Sequence, residues 1–492
     1  MKYRIIGISA AAVLMVLTAV LLKLDSTNPK NRIHQHLTAR QPDAGCDCDG
    51  SELCTHLPLV IIDTEGQEIP GENIEESIVP ETGEYNEFTL GPDGSSTIPC
   101  SIKVMDSSVS NNHPSDEAEL ESYGRIRIRG NTSRLFDKKG YLLITTKEDY
   151  QTSQDLQMLG MSSHHEWALH GPFMDKSLIR NYMWYNISGE IMDYAPNVRF
   201  CEVILNGEYL GLYVMVETIT NGEGGRLNMT LPDNDYQTQI SYAIRLDRGS
   251  SNPIKNVDTF TTYAYRNQHV LEIVYPGAGG LSTERVDFIT NDFSSFEKSL
   301  YSYDYDTEPY AYWNYADMDS FAEYFILNEF ICNYEVGARS TYIYKDLKGK
   351  FKMCMWDLNT VCGNMVADTT MHFEMQYLTW FYMLCKDEKF VDRIIDRYRE
   401  LRQTYLSDEY LLGYIDDVIE YLGPAIDRNF EVWGYTFEEY LPLKPEERNP
   451  EDYEEAVNQM KDFIVERGAW MDENIEILKQ YCHESKVKKF NH

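Results

Sequence analysis

Three stretches of this sequence carry residue types at spacings that suit chemistry on a charged ligand. In the first, RIRIRGNTSRLFDKKGYLLI (125–144), a strand pattern runs into Gly130-Asn131-Thr132-Ser133-Arg134, and Lys138 and Lys139 then lead into the next strand. Small residues let backbone N–H groups close on phosphate oxygens, and a lysine at a strand start supplies a point charge. The loop is neither a GxGxxG nor a Walker pattern, and a basic surface hairpin would read the same way. The second stretch ends at Glu217. Alternation puts Leu210, Leu212, Val214 and Val216 on a core face, with Tyr209, Gly211, Tyr213, Met215 and Glu217 on the other. Gly211 leaves that second face open, so Glu217 could meet a lysine or a metal across a cleft; an acid at a solvated strand end is the competing reading. The third, KFKMCMWDLNTVCGN (350–364), places Asp357 at the end of a strand that looks buried on both faces. A carboxylate there is costly to desolvate unless it is paired or binds a cation. A helix cap or a salt bridge would also account for it.

The elements that must position these residues are legible in outline. Asp175–Met192 reads as a helix capped by Asp175, with Ile179, Met183, Ile187 and Ile191 at helical spacing. A hairpin follows, 200–205 and 208–217, turning at Asn206-Gly207, a pair that tolerates positive φ. Strands are expected at 242–247 and 269–276, and Pro276-Gly-Ala-Gly-Gly280 reads as a flexible joint with no helix signal opening at it. A helix from about Asp319 to Asn333 and a second hairpin, 341–345 with 350–357, come next. From about Leu378 onward the pattern is helical. The fold class is therefore α+β, with a mixed or antiparallel sheet first and a helical region last.

With 44 Lys and Arg against 79 Asp and Glu, the 492-residue chain carries a formal charge of −35. Such a surface repels nucleic acid and draws in cationic partners, so a basic protein is a more suitable substrate than a polynucleotide. Lys2 and Arg4 precede an apolar run, Ile5–Leu22, closed by Lys23. Eighteen residues at 1.5 Å rise span about 27 Å, enough to cross a bilayer core. No small-x-small cleavage site follows, so the run is expected to be an uncleaved, single-pass anchor with the body outside the cell membrane; a cleaved, secreted form is the alternative. The chain divides into an anchor (1–24), an extracellular stalk with a cysteine cluster (25–56), a mixed core (57–377) and a helical part of the same domain (378–485). Ten cysteines in an exported chain permit disulfides. Zinc competes for Cys46, Cys48 and Cys54, but there is no CxxC and the nearest histidine, His56, stands alone. Disulfides or free thiols are expected there.

At these same stretches the chain resembles the spore-coat protein H (CotH) family of secreted, atypical kinases. RIRIRGNTSRLFDKKGYLL resembles its N-lobe signature, and DKSLIRNYMWYNIS is similar to its next helix with an Arg-Asn pair. VILNGEYLGLYVMVETI matches its NGEY-GLY…E hairpin, and YFILNEFICNYEVGARSTYIYKDLKGKFKMCMWDLNTVCGN is similar to its C-lobe core. The match runs from about Leu57 to about Asp472. It implies a kinase-like core with reduced lobes that binds ATP with Mg²⁺ or Mn²⁺ and phosphorylates Ser (or Thr) in exported, basic or Ser-rich proteins. Carried over by position, Lys138 or, by preference, Lys139 would contact ATP phosphates, with Arg180 also on the ATP side. Glu217 would position the lysine, and Asp357 with Asn359 would hold the metal. The family's usual Asp in its N-x-D step is replaced in Asn333-Tyr334-Glu335, so Glu335 would be the base, one methylene further out. Asn359 stands where many relatives carry a second acid. Two other classes remain open: a pseudokinase serving as an envelope-binding module, and a glycan hydrolase using Glu217, Glu335 and Asp357.

Overall fold

The structure, a computed structural model, describes residues 32–42, 46–79, 84–85, 87–222, 225–261, 269–365 and 371–486. Contacts divide the chain into Met1–Ile33 and His34–His492. The first unit, and with it the expected anchor Ile5–Leu22, lies almost wholly outside the described residues. Among the described residues, no helix is long and apolar enough to cross a membrane.

In the second unit, seven strands form a closed barrel: β1 (Leu59–Asp63), β2 (Ile98–Met105), β3 (Leu120–Arg129), β4 (Gly140–Thr146), β5 (Glu166–His170), β6 (Val198–Leu205) and β7 (Glu208–Glu217). Around the barrel the order is β1-β2-β3-β4-β5-β7-β6. Neighbours are antiparallel except β1 and β6, which pair in parallel from Leu59↔Glu202 to Ile62↔Leu205 and close the ring. The β6–β7 hairpin turns at Asn206-Gly207 with φ of +52° and +81°, as the Asn-Gly pair predicts. Inside, Val60, Ile102, Ile126, Leu143, Trp167, Tyr213 and Met215 pack together. Outside, Leu212, Val214 and Val216 of β7 pack on the helices. Both faces of β7 are thus buried over Gly211–Glu217, and the open face expected around Gly211 does not exist. Gly211 has φ +86°, and a Cβ there would sit 2.7 Å from Asn429 Oδ1 and 3.3 Å from Trp433 Nε1. It lets a C-terminal helix come against the barrel wall.

A second sheet is built from β8 (Tyr242–Asp247), β9 (Asn256–Val257), β10 (Val270–Tyr275), β11 (Thr341–Lys345) and β12 (Lys352–Cys354), in the order β9-β10-β8-β11-β12. Between β5 and β6 in sequence lies α1 (Arg180–Ile191), buried at nearly every residue. The joint expected at 276–280 is instead a single 3₁₀ turn, Ala278–Gly280, leading directly into α2 (Thr283–Leu300). Ser282 caps α2 by accepting from the Arg285 N–H, and Ile289, Phe293, Phe296 and Leu300 form its buried stripe. Helix α3 (Met318–Phe330) precedes the second hairpin. The C-terminal region is helical as expected: α4 (Glu388–Leu401), α5 (Asp408–Leu422), α6 (Pro424–Trp433) and α7 (Tyr453–Asn474).

The segment expected to be a stalk is docked against the body at residues 34–36 and at His56. The Gln35 side chain accepts from the Phe200 N–H at 2.7 Å and donates to the Phe200 carbonyl at 3.1 Å. His36 meets Tyr182 Oη at 2.9 Å, and all three of His34, Gln35 and His36 are buried. His56 is buried too, its Nε2 against the Tyr421 carbonyl at 2.6 Å. All ten cysteines are unbonded, so none of the permitted disulfides is formed.

Candidate active site at the seam of barrel and sheet

Asp357 leaves β12 through Trp356 and adopts φ +61°, a conformation uncommon for a non-glycine residue. Helix α1 holds it there. The Asp357 N–H donates to Tyr185 Oη at 3.0 Å, and the Leu358 N–H donates to Asn181 Oδ1 at 2.9 Å. Arg180, one residue earlier on α1, donates from Nε to the Val361 carbonyl at 2.9 Å and from Nη2 to the Cys362 carbonyl at 3.3 Å. Its Nη1 pairs with Asp175 at 2.5 Å, both side chains almost fully buried. Arg180 and Asn181 together therefore clamp the loop after Asp357. Arg180 Nη1 also donates to Ser177 Oγ at 2.9 Å.

Three carboxylates share one field. Burial, then Asp357, then Asp247 raise the Glu335 carboxyl to about 7. Asp357 is itself raised, by burial first and by Asp247, and is opposed by Arg129 and Arg245. Asp247 ends β8, Glu335 lies in the turn after α3, and Arg129 ends β3 with its guanidinium 5.5 Å from the centre of the Trp356 ring. Asp247 lies 3.5 Å from Arg245 Nε and 3.4 Å from Arg248 Nη1. Arg245 also pairs with Glu272 and donates to Tyr342 Oη at 3.1 Å. With its amide turned to accept, the Asn131 side-chain oxygen lies 2.7 Å from Arg248 Nε, so the 130–134 loop touches the sheet bearing Asp247. Asn333 contributes a buried Oδ1 without a hydrogen-bond partner, while its Nδ2 donates to Asn328. Asn359 is half-buried, and its backbone carbonyl accepts from Asn364.

Within the 130–134 loop, Arg134 is the organiser. It is buried, donates to the Gly130 and Gly71 carbonyls, and stacks its guanidinium 3.8 Å from the centre of the Phe88 ring. Lys139 donates to the Arg134 carbonyl at 2.7 Å and pairs with Glu72 at 3.1 Å. Lys138 points the other way, into the protein, donating to Asn429 Oδ1 at 2.6 Å with Tyr213 and Trp433 rings around its amine. Burial drives its ammonium well below the ordinary lysine range. Asn429 Oδ1 also accepts from the Leu212 N–H at 3.1 Å.

Glu217 does not meet either lysine. It is fully buried and accepts from the Asn197 N–H at 2.9 Å, Asn197 Nδ2 at 3.0 Å and Ser162 Oγ at 3.3 Å. Register explains the separation. Glu217 lies level with Trp167, and Trp167 with Leu143, four residues along β4 from Lys139. At roughly 3.4 Å per residue that is about 14 Å along the strand direction, to which two strand spacings across the sheet add. The acids that do converge with Asp357 are Glu335 and Asp247. The sequence reading named Glu335 and passed over Asp247, although an acid closing the apolar run YAIRLD carried the same signal as Asp357. A separate cavity of about 620 Å³, lined by residues including Tyr301, Tyr305, Met383, Lys386 and His483, shares no residue with this cluster.

Comparison with known proteins agrees with the architecture. The family profile described as "CotH kinase protein" matches residues 126–471. The inner spore coat protein H of Bacillus subtilis (strain 168) is 22% identical over 357 residues, covering 72% of this chain and 87% of that protein. The matched span takes in Arg129, Lys139, Asp247, Glu335 and Asp357. With most of its length inside that profile, this chain belongs to the CotH kinase protein family.

Proposed function

We propose that this chain is an ATP-dependent phosphotransferase that moves the γ-phosphate to a Ser (or Thr) hydroxyl of an exported or envelope protein. The observation that carries the reading is the gathering of Asp247, Glu335 and Asp357 against Arg129, Arg245 and Arg248. Massed carboxylates, with Glu335 and Asp357 raised by burial and by their acidic neighbours, are what a hard cation relieves, and Mg²⁺ or Mn²⁺ takes oxygen ligands of this kind. Asp357 and Asp247 would hold it, with the Asn359 amide adjacent in sequence. When bound, such a cation supplies neutralisation of charge on the phosphate oxygens.

The protein's own groups account for the rest. The acceptor oxygen bonds to the γ-phosphorus, the β–γ bridging bond breaks toward ADP, and the hydroxyl proton passes to Glu335. A carboxyl raised chiefly by burial is suited to accepting that proton near neutral pH. Arg129, beside Asp357, would orient phosphate oxygens, and the Asn131–Arg248 contact keeps the small-residue loop over the same seam. Lys139 would exchange Glu72 for phosphate; Lys138 is committed to Asn429. Arginines interleaved among the acids favour phosphoryl transfer over glycan hydrolysis, which needs two carboxyls across an open groove. The −35 charge favours a basic substrate. The relative's name, a spore coat protein, accords with a place at the cell surface, whether anchored or secreted.

The test is transfer of labelled γ-phosphate to a basic Ser-rich peptide, with Mg²⁺ or Mn²⁺. Asp357→Ala should remove the metal-dependent part of ATP binding, and Lys139→Ala should weaken ATP with or without metal. Glu335→Asp should raise transfer if one methylene has moved the base off its best position, since about 1 Å of misplacement costs roughly a hundredfold. Nucleotide binding without transfer in either form would identify a pseudokinase. No nucleotide binding by calorimetry with either cation overturns both readings.

A further inference from the structure

Cys46, Cys48 and Cys54 lie together on the surface, and His113 joins them from the loop after β2. The three thiols and one imidazole nitrogen all lie within 4.8 Å of one another. The backbone explains the meeting: Thr55 and Asn112 form an antiparallel bridge, with N–H···O bonds of 3.1 and 2.7 Å, so their neighbours Cys54 and His113 emerge side by side. Along the chain the nearest histidine to these cysteines is His56, whose ring is turned into the core.

We propose that Cys46, Cys48, Cys54 and His113 bind one zinc ion as a closed, four-ligand structural centre that staples the 46–54 segment to the 106–119 loop. A disulfide would use two thiols and leave a third thiol and an imidazole with no reason to be equally near. A tetrahedral S₃N site needs all four. With Zn–S near 2.3 Å, neighbouring ligand atoms stand roughly 3.8 Å apart, so contraction of about an ångström completes the site. The groups that would orient the ligands are already in place. His113 Nδ1 meets the Asp116 carboxylate at 3.1 Å, which fixes the proton on that nitrogen and leaves Nε2, 3.5 Å from Cys46 Sγ, as the donor to a metal. Asn111 Nδ2 donates to Cys54 Sγ at 3.1 Å, a bond suited to a thiolate. Four protein ligands leave no open position, so the centre is structural, and it stands apart from the carboxylates of the proposed phosphotransfer site.

The experiment uses the full chain, purified reduced and without chelator, with metal content read by elemental mass spectrometry. Wild type should carry about one zinc per chain, and Co²⁺ in its place should give thiolate-to-cobalt charge-transfer bands. His113→Ala and Cys54→Ser should lose the ion, and Asp116→Ala should bind it roughly 10- to 100-fold more weakly. His113 lies in a surface loop, so that variant should stay folded by circular dichroism. Asp357→Asn should keep its zinc in full, which separates this result from any outcome for phosphotransfer. The proposal is overturned if reduced wild type takes up no zinc at micromolar free metal. It is equally overturned if His113→Ala keeps wild-type affinity and the charge-transfer spectrum.

Discussion

Replacing Asp357 by Asn should move stability and metal binding in opposite directions. In the unliganded protein, Glu335 is raised from 4.5 to about 7, with burial the largest cause, Asp357 the second and Asp247 the third. At about 1.36 kcal/mol per pKa unit, the whole shift is worth roughly 3 kcal/mol. Because burial leads, the share due to Asp357 is on the order of 1 kcal/mol. A raised folded-state pKa means that the native state holds the extra proton between about pH 4.5 and 7. Stability therefore falls as pH rises through that window and stays lower above it. Asp357→Asn removes one repelling charge, and Asn is better tolerated than most residues at φ +61°. The variant should be more stable than wild type by at least about 1 kcal/mol at pH 8, and the difference should shrink as pH falls toward 4, since Asp357 is itself raised by burial. Subtracting the two urea-unfolding curves cancels groups that the substitution leaves alone, such as Glu329, which is also raised to about 7. With Mg²⁺ or Mn²⁺ at a hundred times its dissociation constant, wild type should gain about 2.7 kcal/mol and the variant almost none. A variant less stable than wild type at pH 8, or a difference that does not change between pH 4.5 and 8, would refute the shared field of these acids.

Arg180→Ala should cost about 3–5 kcal/mol in denaturant unfolding, because it strands the buried Asp175 carboxylate and frees two loop carbonyls. Lys138→Met, which keeps the volume, should cost under about 1.5 kcal/mol and leave ATP affinity unchanged; a loss of affinity measured by calorimetry would return Lys138 to the phosphate site. Gly211→Ala should destabilise by roughly 1–3 kcal/mol, since it combines positive φ with a Cβ 2.7 Å from Asn429 Oδ1. Its thermal midpoint should fall well below that of an alanine placed at the exposed Gly207, where nothing lies within 4 Å of the added Cβ.

What could be read beforehand was local. The Asn206-Gly207 turn, the strand faces of β3 and the cost of a carboxylate at the end of a dry strand all follow from neighbours in sequence. Asp357 was legible for that reason, and Asp247 was equally legible but overlooked. Helix α2 is legible too, in Ser282 and the spacing of Ile289, Phe293, Phe296 and Leu300, but the glycines just before it carry the opposite signal, of a joint. What sequence could not supply was register. The pairing of Lys139 with Glu217 is natural in a linear reading, and only the barrel's strand alignment sets them about 14 Å apart along the strands. Closure itself depends on the parallel β1–β6 contact, between segments about 140 residues apart. Nor does the sequence show that Arg180 and Asn181 hold the backbone after Asp357, a contact between segments about 180 residues apart.

Asn429 has a consequence for how this fold can be cut. A single amide oxygen on α6 accepts from Lys138 at the mouth of β4 and from the Leu212 N–H of β7, so the barrel's own polar groups are completed by a helix more than two hundred residues downstream. A fragment ending before Pro424 would leave an amine and a peptide N–H facing an apolar gap, in place of a finished wall. Recombination that trades the helical tail between relatives must therefore carry β4, Gly211 and α6 as a matched set. The natural seam for a chimera runs through space, between those three and the rest, and at no single point along the chain.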